Sequence, residues 1–112
     1  MIRKFISYIK EQINNQSYTY TIHENTDYVH SMYVDIDNDT NLGRVTLWDD
    51  NSCVMEILSI ETGNCLFSER YEFASFNELI GKFDNFYSIL SQTGLHDKLG
   101  TVANKQLNAA NN

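Results

Sequence analysis

The sequence predicts an α+β fold: a five-stranded antiparallel meander sheet with an N-terminal and a C-terminal helix packed on one face, as a two-layer sandwich. Three observations predict it. Between Leu42 and Phe73, three alternating runs are separated by the polar turns Asp49-Asp50-Asn51 and Glu61-Thr62-Gly63, and alternation is the period of a half-buried strand. Towards both ends of the chain the apolar residues recur instead at the spacing of one helical face. Finally, 112 residues without a proline, a linker or an internal repeat leave room for one core only.

From Met1 to about Asn14, Ile2, Phe5, Ile6, Ile9 and Ile13 trace an apolar stripe, with Arg3, Lys4, Lys10 and Glu11 elsewhere. That is an amphipathic helix suited to lie on a sheet. Tyr18 to His23 alternates bulky and small side chains as a first strand, Glu24 to Asp27 is a polar turn, and Tyr28 to Ile36 is a second strand containing Val29, Met32, Val34 and Ile36. Asp37 to Asn41 connects it to the Leu42 to Phe73 unit. With each turn of that unit a three-residue loop ending in a left-handed residue, Asn51 or Gly63, the registers follow. Leu47 faces Cys53, Val45 faces Met55, Arg44 faces Glu56, Ile57 faces Phe67 and Leu58 faces Leu66. One face then holds Val45, Leu47, Cys53, Met55, Ile57, Cys65, Phe67 and Tyr71, and the other holds Arg44, Thr46, Trp48, Val54, Glu56, Leu58, Leu66, Ser68 and Arg70. Ser75 and Glu78 fit a capping box that opens the strongest helix, whose stripe is Phe76, Leu79, Ile80, Phe83, Phe86, Tyr87 and Leu90. We expect that helix to end near Gly94, giving a single domain over 1–93 and a weakly ordered tail over 94–112, with a short helical turn around Thr101 to Leu107.

Fifteen acidic against eight basic side chains leave a net charge of -7, which repels nucleic-acid backbones and favours a basic partner. Two cysteines are too few for a disulfide scaffold, so Cys53 and Cys65 are expected as buried thiols in a reducing compartment. No run is long enough to cross a bilayer and no signal peptide is evident, which points to the cytoplasm and away from a membrane partner. Asp35, Asp37 and Asp39 match the first alternate ligands of a calcium loop, but Thr40 and Thr46 stand where Gly and Glu are needed, so no metal or other cofactor is expected. His23, His30 and His96 sit in no catalytic or metal spacing, and no phosphate loop or nucleophile elbow is present, so we expect no enzyme. Trp48 among Val54, Leu58 and Leu66, with carboxylates around it, gives the second face an apolar centre and a charged rim, as at a protein-binding site. A third helix or the tail after Leu95 lying over that face would make Trp48 core instead.

The run GRVTLWDDNSCVMEILSIETGNCLFSERYEFASFNEL, Gly43 to Leu79, resembles the TriTu-type immunity proteins of bacterial contact-dependent growth inhibition and polymorphic toxin systems. The likeness lies in a strand ending in Trp before an acidic turn, an acidic-apolar strand, the Glu61-Thr62-Gly63 turn, an aromatic-acidic strand and a closing helix, with Asn51 where a Gly is expected. The resemblance implies a small antitoxin that binds one cognate CdiA-type C-terminal toxin domain, a basic tRNA-cleaving nuclease whose action involves the translation factor EF-Tu. For the toxin-binding surface we select Asp35, Asp37, Asp39, Trp48, Asp49, Asp50 and Glu56, on the second face and its adjoining turns. A different reading of the same acidity is a small adaptor or chaperone subunit for a basic protein.

Overall fold

A computed structural model describes residues 1–14, 17–27 and 29–99, with side chains as far as Ser91. In chain order the elements are α1 (Ile2–Gln12), β1 (Thr19–Asn25), β2 (Ser31–Asp37), β3 (Asn41–Trp48), β4 (Ser52–Ser59), β5 (Cys65–Glu72) and α2 (Phe76–Leu99). The five strands form one antiparallel sheet in the order β1-β2-β3-β4-β5, so every strand hydrogen-bonds to its neighbour in the chain. This is the expected meander with a helix at either end.

The core lies on one face of it. Met32, Val34 and Ile36 of β2, Val45 and Leu47 of β3, and Cys53, Met55 and Ile57 of β4 are buried together with Ile2, Phe5, Ile6 and Ile9 of α1 and Leu79, Phe83, Phe86 and Leu90 of α2. Removing these groups from water is the main favourable term available to a chain this short. The two helices meet over the sheet: Phe5 packs edge to face on Phe83 with ring centroids 5.4 Å apart, and the Tyr8 hydroxyl donates to Asp84 Oδ1 at 2.6 Å. Gly43 lets α2 come close to β3. A Cβ at that position would lie 2.9 Å from Phe86 Cζ and 3.1 Å from the Ile36 carbonyl oxygen.

At the start of α2, Ser75 Oγ accepts the Glu78 N–H at 3.2 Å, and Glu78 Oε1 reaches back to the Ala74 N–H at 2.7 Å. The reciprocal cap read from the sequence is there, its return bond one residue further upstream than the usual pattern. The helix then passes through Gly94 to Leu99. One interior glycine costs about 1 kcal/mol, too little to stop a helix already nucleated and packed over four turns. The tail beyond it, with the helical turn expected around Thr101 to Leu107, lies outside the described residues.

Two strand boundaries move. β1 continues through Glu24 and Asn25, which pair with Met32 and Ser31, so β2 begins at Ser31 and Val29 is left half-exposed outside the ladder. The first tight turn behaves as expected: Asn51 takes φ 65, and Leu47, Val45 and Arg44 face Cys53, Met55 and Glu56. The second does not. Gly63 is left-handed at φ 74, but Ser59 exchanges hydrogen bonds with Gly63 and Asn64, which makes the loop four residues, Ile60 to Gly63. The extra loop residue sets Cys65, not Leu66, opposite Leu58, and a bulge at Leu66 restores the Ile57 to Phe67 pairing. The expected Leu58 to Leu66 pair is thus corrected. So is the placement of Cys65 in the core: Cys53 is buried, whereas Cys65 is exposed on the opposite face.

Candidate functional site

The face of the sheet away from the helices is where chemistry is available. Among the described residues no element lies across it. The registers arrange its side chains in cross-strand rows about 7 Å apart, two residues along each strand. One row reads Asp37, Leu42, Leu58 and Cys65, the next Thr21, Asp35, Arg44, Glu56 and Ser68, the next His23, Tyr33, Thr46, Val54 and Arg70, and the last contains Asn25, Ser31 and Trp48.

Arg44 organises the middle of the face. Its Nε donates to Asp35 Oδ1 at 2.6 Å and its Nη2 to Asp35 Oδ2 at 3.0 Å, while the guanidinium lies 4.3 Å from the centroid of the Tyr33 ring. The other side of this column is closed by His23, stacked on Tyr33 at 4.5 Å with the planes 19° apart. The fork geometry holds the arginine in one place, and the Asp35 carboxylate raises its already high pKa. Asp37 has no such partner among the described residues. Its carboxyl is held above the usual range by burial first and by the neighbouring Asp35 charge second, with Arg44 only partly offsetting them.

Beside this column is a depression of about 320 Å³, lined by Asp35, Asp37, Leu42, Gly43, Arg44, Glu56, Leu58 and Cys65. Leu42, Leu58 and Leu66 are exposed at 43%, 40% and 39%, unusual for leucines in a sheet and a sign of an apolar floor available to another molecule.

The seven residues selected from the sequence fall into two groups. Asp35, Asp37 and Glu56 come together around the depression, and Asp39 stands exposed in the β2–β3 turn at the same end of the sheet. Trp48, half-buried, and Asp49 and Asp50, exposed, lie at the opposite end of β3, about 25 Å away at strand rise. Asp50 is occupied locally, since its Oδ1 accepts both the N–H and the hydroxyl of Ser52 and so shapes the turn. The sequence reading missed His23, Tyr33, Leu42 and Cys65 as members of this face. The first two were hidden because the register of β1 on β2 was unassigned, and Cys65 because the bulge at Leu66 turns it over.

Neither thiol is placed for catalysis. Burial pushes the Cys53 thiol up to about 11, and Cys65 Sγ is engaged at 3.5 Å with the Phe67 carbonyl oxygen. His30 is paired with Glu24 Oε2 at 2.6 Å, and among the described residues no group of three His, Cys, Asp or Glu side chains is disposed to hold a metal ion. The side chain of His96 lies outside the described residues. Nor is any described helix long and apolar enough to cross a membrane. What the face offers is a surface, with a fixed arginine, exposed leucines and an excess of carboxylate.

The model of a known family, described as immunity protein TriTu, matches residues 2–89, which takes in α1, all five strands and most of α2. The chain belongs to the TriTu immunity protein family. A search of curated proteins returns no match. Membership assigns an immunity role, that of an antitoxin binding a cognate toxin, and it accounts for the Trp48 turn, the Glu61-Thr62-Gly63 turn and the capped α2 as one continuous pattern.

Proposed function

We propose that this TriTu family member is a non-enzymatic antitoxin that neutralises a CdiA-type C-terminal toxin domain, a tRNA-cleaving nuclease, by occluding its RNA-binding surface in the cytoplasm. The family match over residues 2–89 carries the reading. Charge supports the choice of target. A nuclease presents a cationic surface to RNA, and a protein of net charge -7 with an uncovered sheet face is its electrostatic complement. A toxin that acts with EF-Tu would bring that factor into the complex indirectly, through the toxin. Asp35, Asp37, Asp39, Trp48, Asp49, Asp50 and Glu56 remain the proposed contact set on this reading, with the cluster around the depression now joined by Leu42 and Leu58.

The test is a purified one. The toxin domain encoded beside this gene is incubated with bulk tRNA and EF-Tu, with and without one equivalent of this protein. Cleavage abolished at stoichiometric ratio, and a stable complex on gel filtration, are expected. Undiminished cleavage in the presence of excess protein would overturn the proposal.

A further inference from the structure

We infer that the depression between Asp37 and Glu56 is a socket for one basic side chain of the partner protein, its aliphatic stem lying on Leu42 and Leu58 and its cationic head between the two carboxylates. The inference rests on the antitoxin reading above and names the place and the chemistry of the contact.

The registers put Leu42 and Leu58 side by side, Asp37 beside Leu42 in the same row, and Glu56 one row along on the strand that carries Leu58. A lysine or arginine side chain has the same order, a hydrocarbon stem and then a charge. Three carboxylates line the depression against a single guanidinium, and that guanidinium is drawn off to Asp35 and the Tyr33 ring. Asp37 and Glu56 therefore have no ion pair among the described residues, although both line an enclosed hollow. Burial already disfavours the Asp37 charge in the free protein, and an incoming cation relieves that penalty. The leucines argue against a simple solvated acidic face, since neither is needed by the core and both are exposed where the carboxylates converge. Arg44, fixed by its fork to Asp35, also gives the socket a polarity: it repels a cation from one wall and so sets the direction of approach.

The full-length protein is tested against its cognate toxin domain by titration calorimetry. Asp37→Lys and Glu56→Lys are each expected to weaken binding by about 30-fold or more, as when one side of a desolvated charge pair is reversed, and Asp37→Asn by a smaller factor. Asp49→Lys, at the other end of the sheet, carries the same change in net charge and is expected to shift affinity by less than about threefold at physiological salt. Cys65 supplies an independent readout, because it lines the socket while Cys53 is buried. Its alkylation by a maleimide is expected to be fast in the free wild-type protein and slow in the complex, without any variant that has to fold. Wild-type protein that binds the toxin while Asp37→Lys and Glu56→Lys bind equally well, or while Cys65 stays as reactive as before, overturns the socket alone. Wild-type protein that does not bind the toxin overturns the antitoxin reading itself.

Discussion

Gly43 is tolerated in the middle of a strand, where glycine ordinarily weakens pairing, because α2 occupies the space a side chain would take. Gly43→Ala should therefore destabilise the protein by about 1–3 kcal/mol, since the Ile36 carbonyl oxygen is backbone and cannot swing aside as the Phe86 ring can. Urea denaturation with an unchanged m-value measures it. Two other residues set the alkaline limit of stability. The Tyr8 hydroxyl is pushed up to about 12 by its hydrogen bond to Asp84 and then by burial, and the Cys53 thiol to about 11 by burial, from ordinary values of 10.0 and 9.0. Both groups hold their protons more tightly folded than unfolded, so their contribution is complete below about pH 9 and is lost as pH rises towards 12. The denaturation midpoint should be level from pH 7 to 9 and fall above it, and Tyr8→Phe should remove part of that fall. A midpoint level to pH 12 would contradict the assignment.

Among the elements, the ones visible in the sequence were those whose periodicity is reinforced by a terminal signal. Ile2, Phe5, Ile6 and Ile9 were read as the buried stripe of α1 and are buried. The cap residues Ser75 and Glu78 fixed the start of α2 because their side chains do at that point what no other residue types can. Ser75→Ala should cost about 1 kcal/mol and lower the thermal midpoint by several degrees, which calorimetry would show. The second hairpin was only half legible. Gly63 announces a left-handed residue but not whether the loop before it has two other residues or three, because the difference lies in which carbonyl Gly63 bonds and not in its side chain. A bulge then absorbs the discrepancy at Leu66, so the error reaches two residues, Cys65 and Leu66, and leaves Ile57 to Phe67 intact. For the binding face the same logic applies: Arg44 opposite Glu56 could be read from the Asn51 turn, whereas the Arg44, Tyr33 and His23 column needs the β1 to β2 register, which a loop over 26–30 does not disclose.

For the molecule as a whole, charge and topology have separate consequences. With a net charge of -7, association with a cationic toxin should slow by about tenfold or more between low and high ionic strength while dissociation changes little, a split that stopped-flow fluorescence from Trp48 can resolve. An association rate indifferent to salt would show that long-range attraction plays no part in capture. The order of the strands bears on how the protein comes into being. Every strand lies beside the one synthesised just before it, so closing each pairing requires only a short loop, and the sheet can be laid down progressively as it leaves the ribosome. What arrives last is α2, which supplies Leu79, Phe83, Phe86 and Leu90 to the oily side. Until that helix is released the nascent sheet is exposed to chaperones and proteases along its greasy surface, and a ribosome stalled before Phe76 would leave the cell with a product bearing most of the docking surface and no means of staying folded.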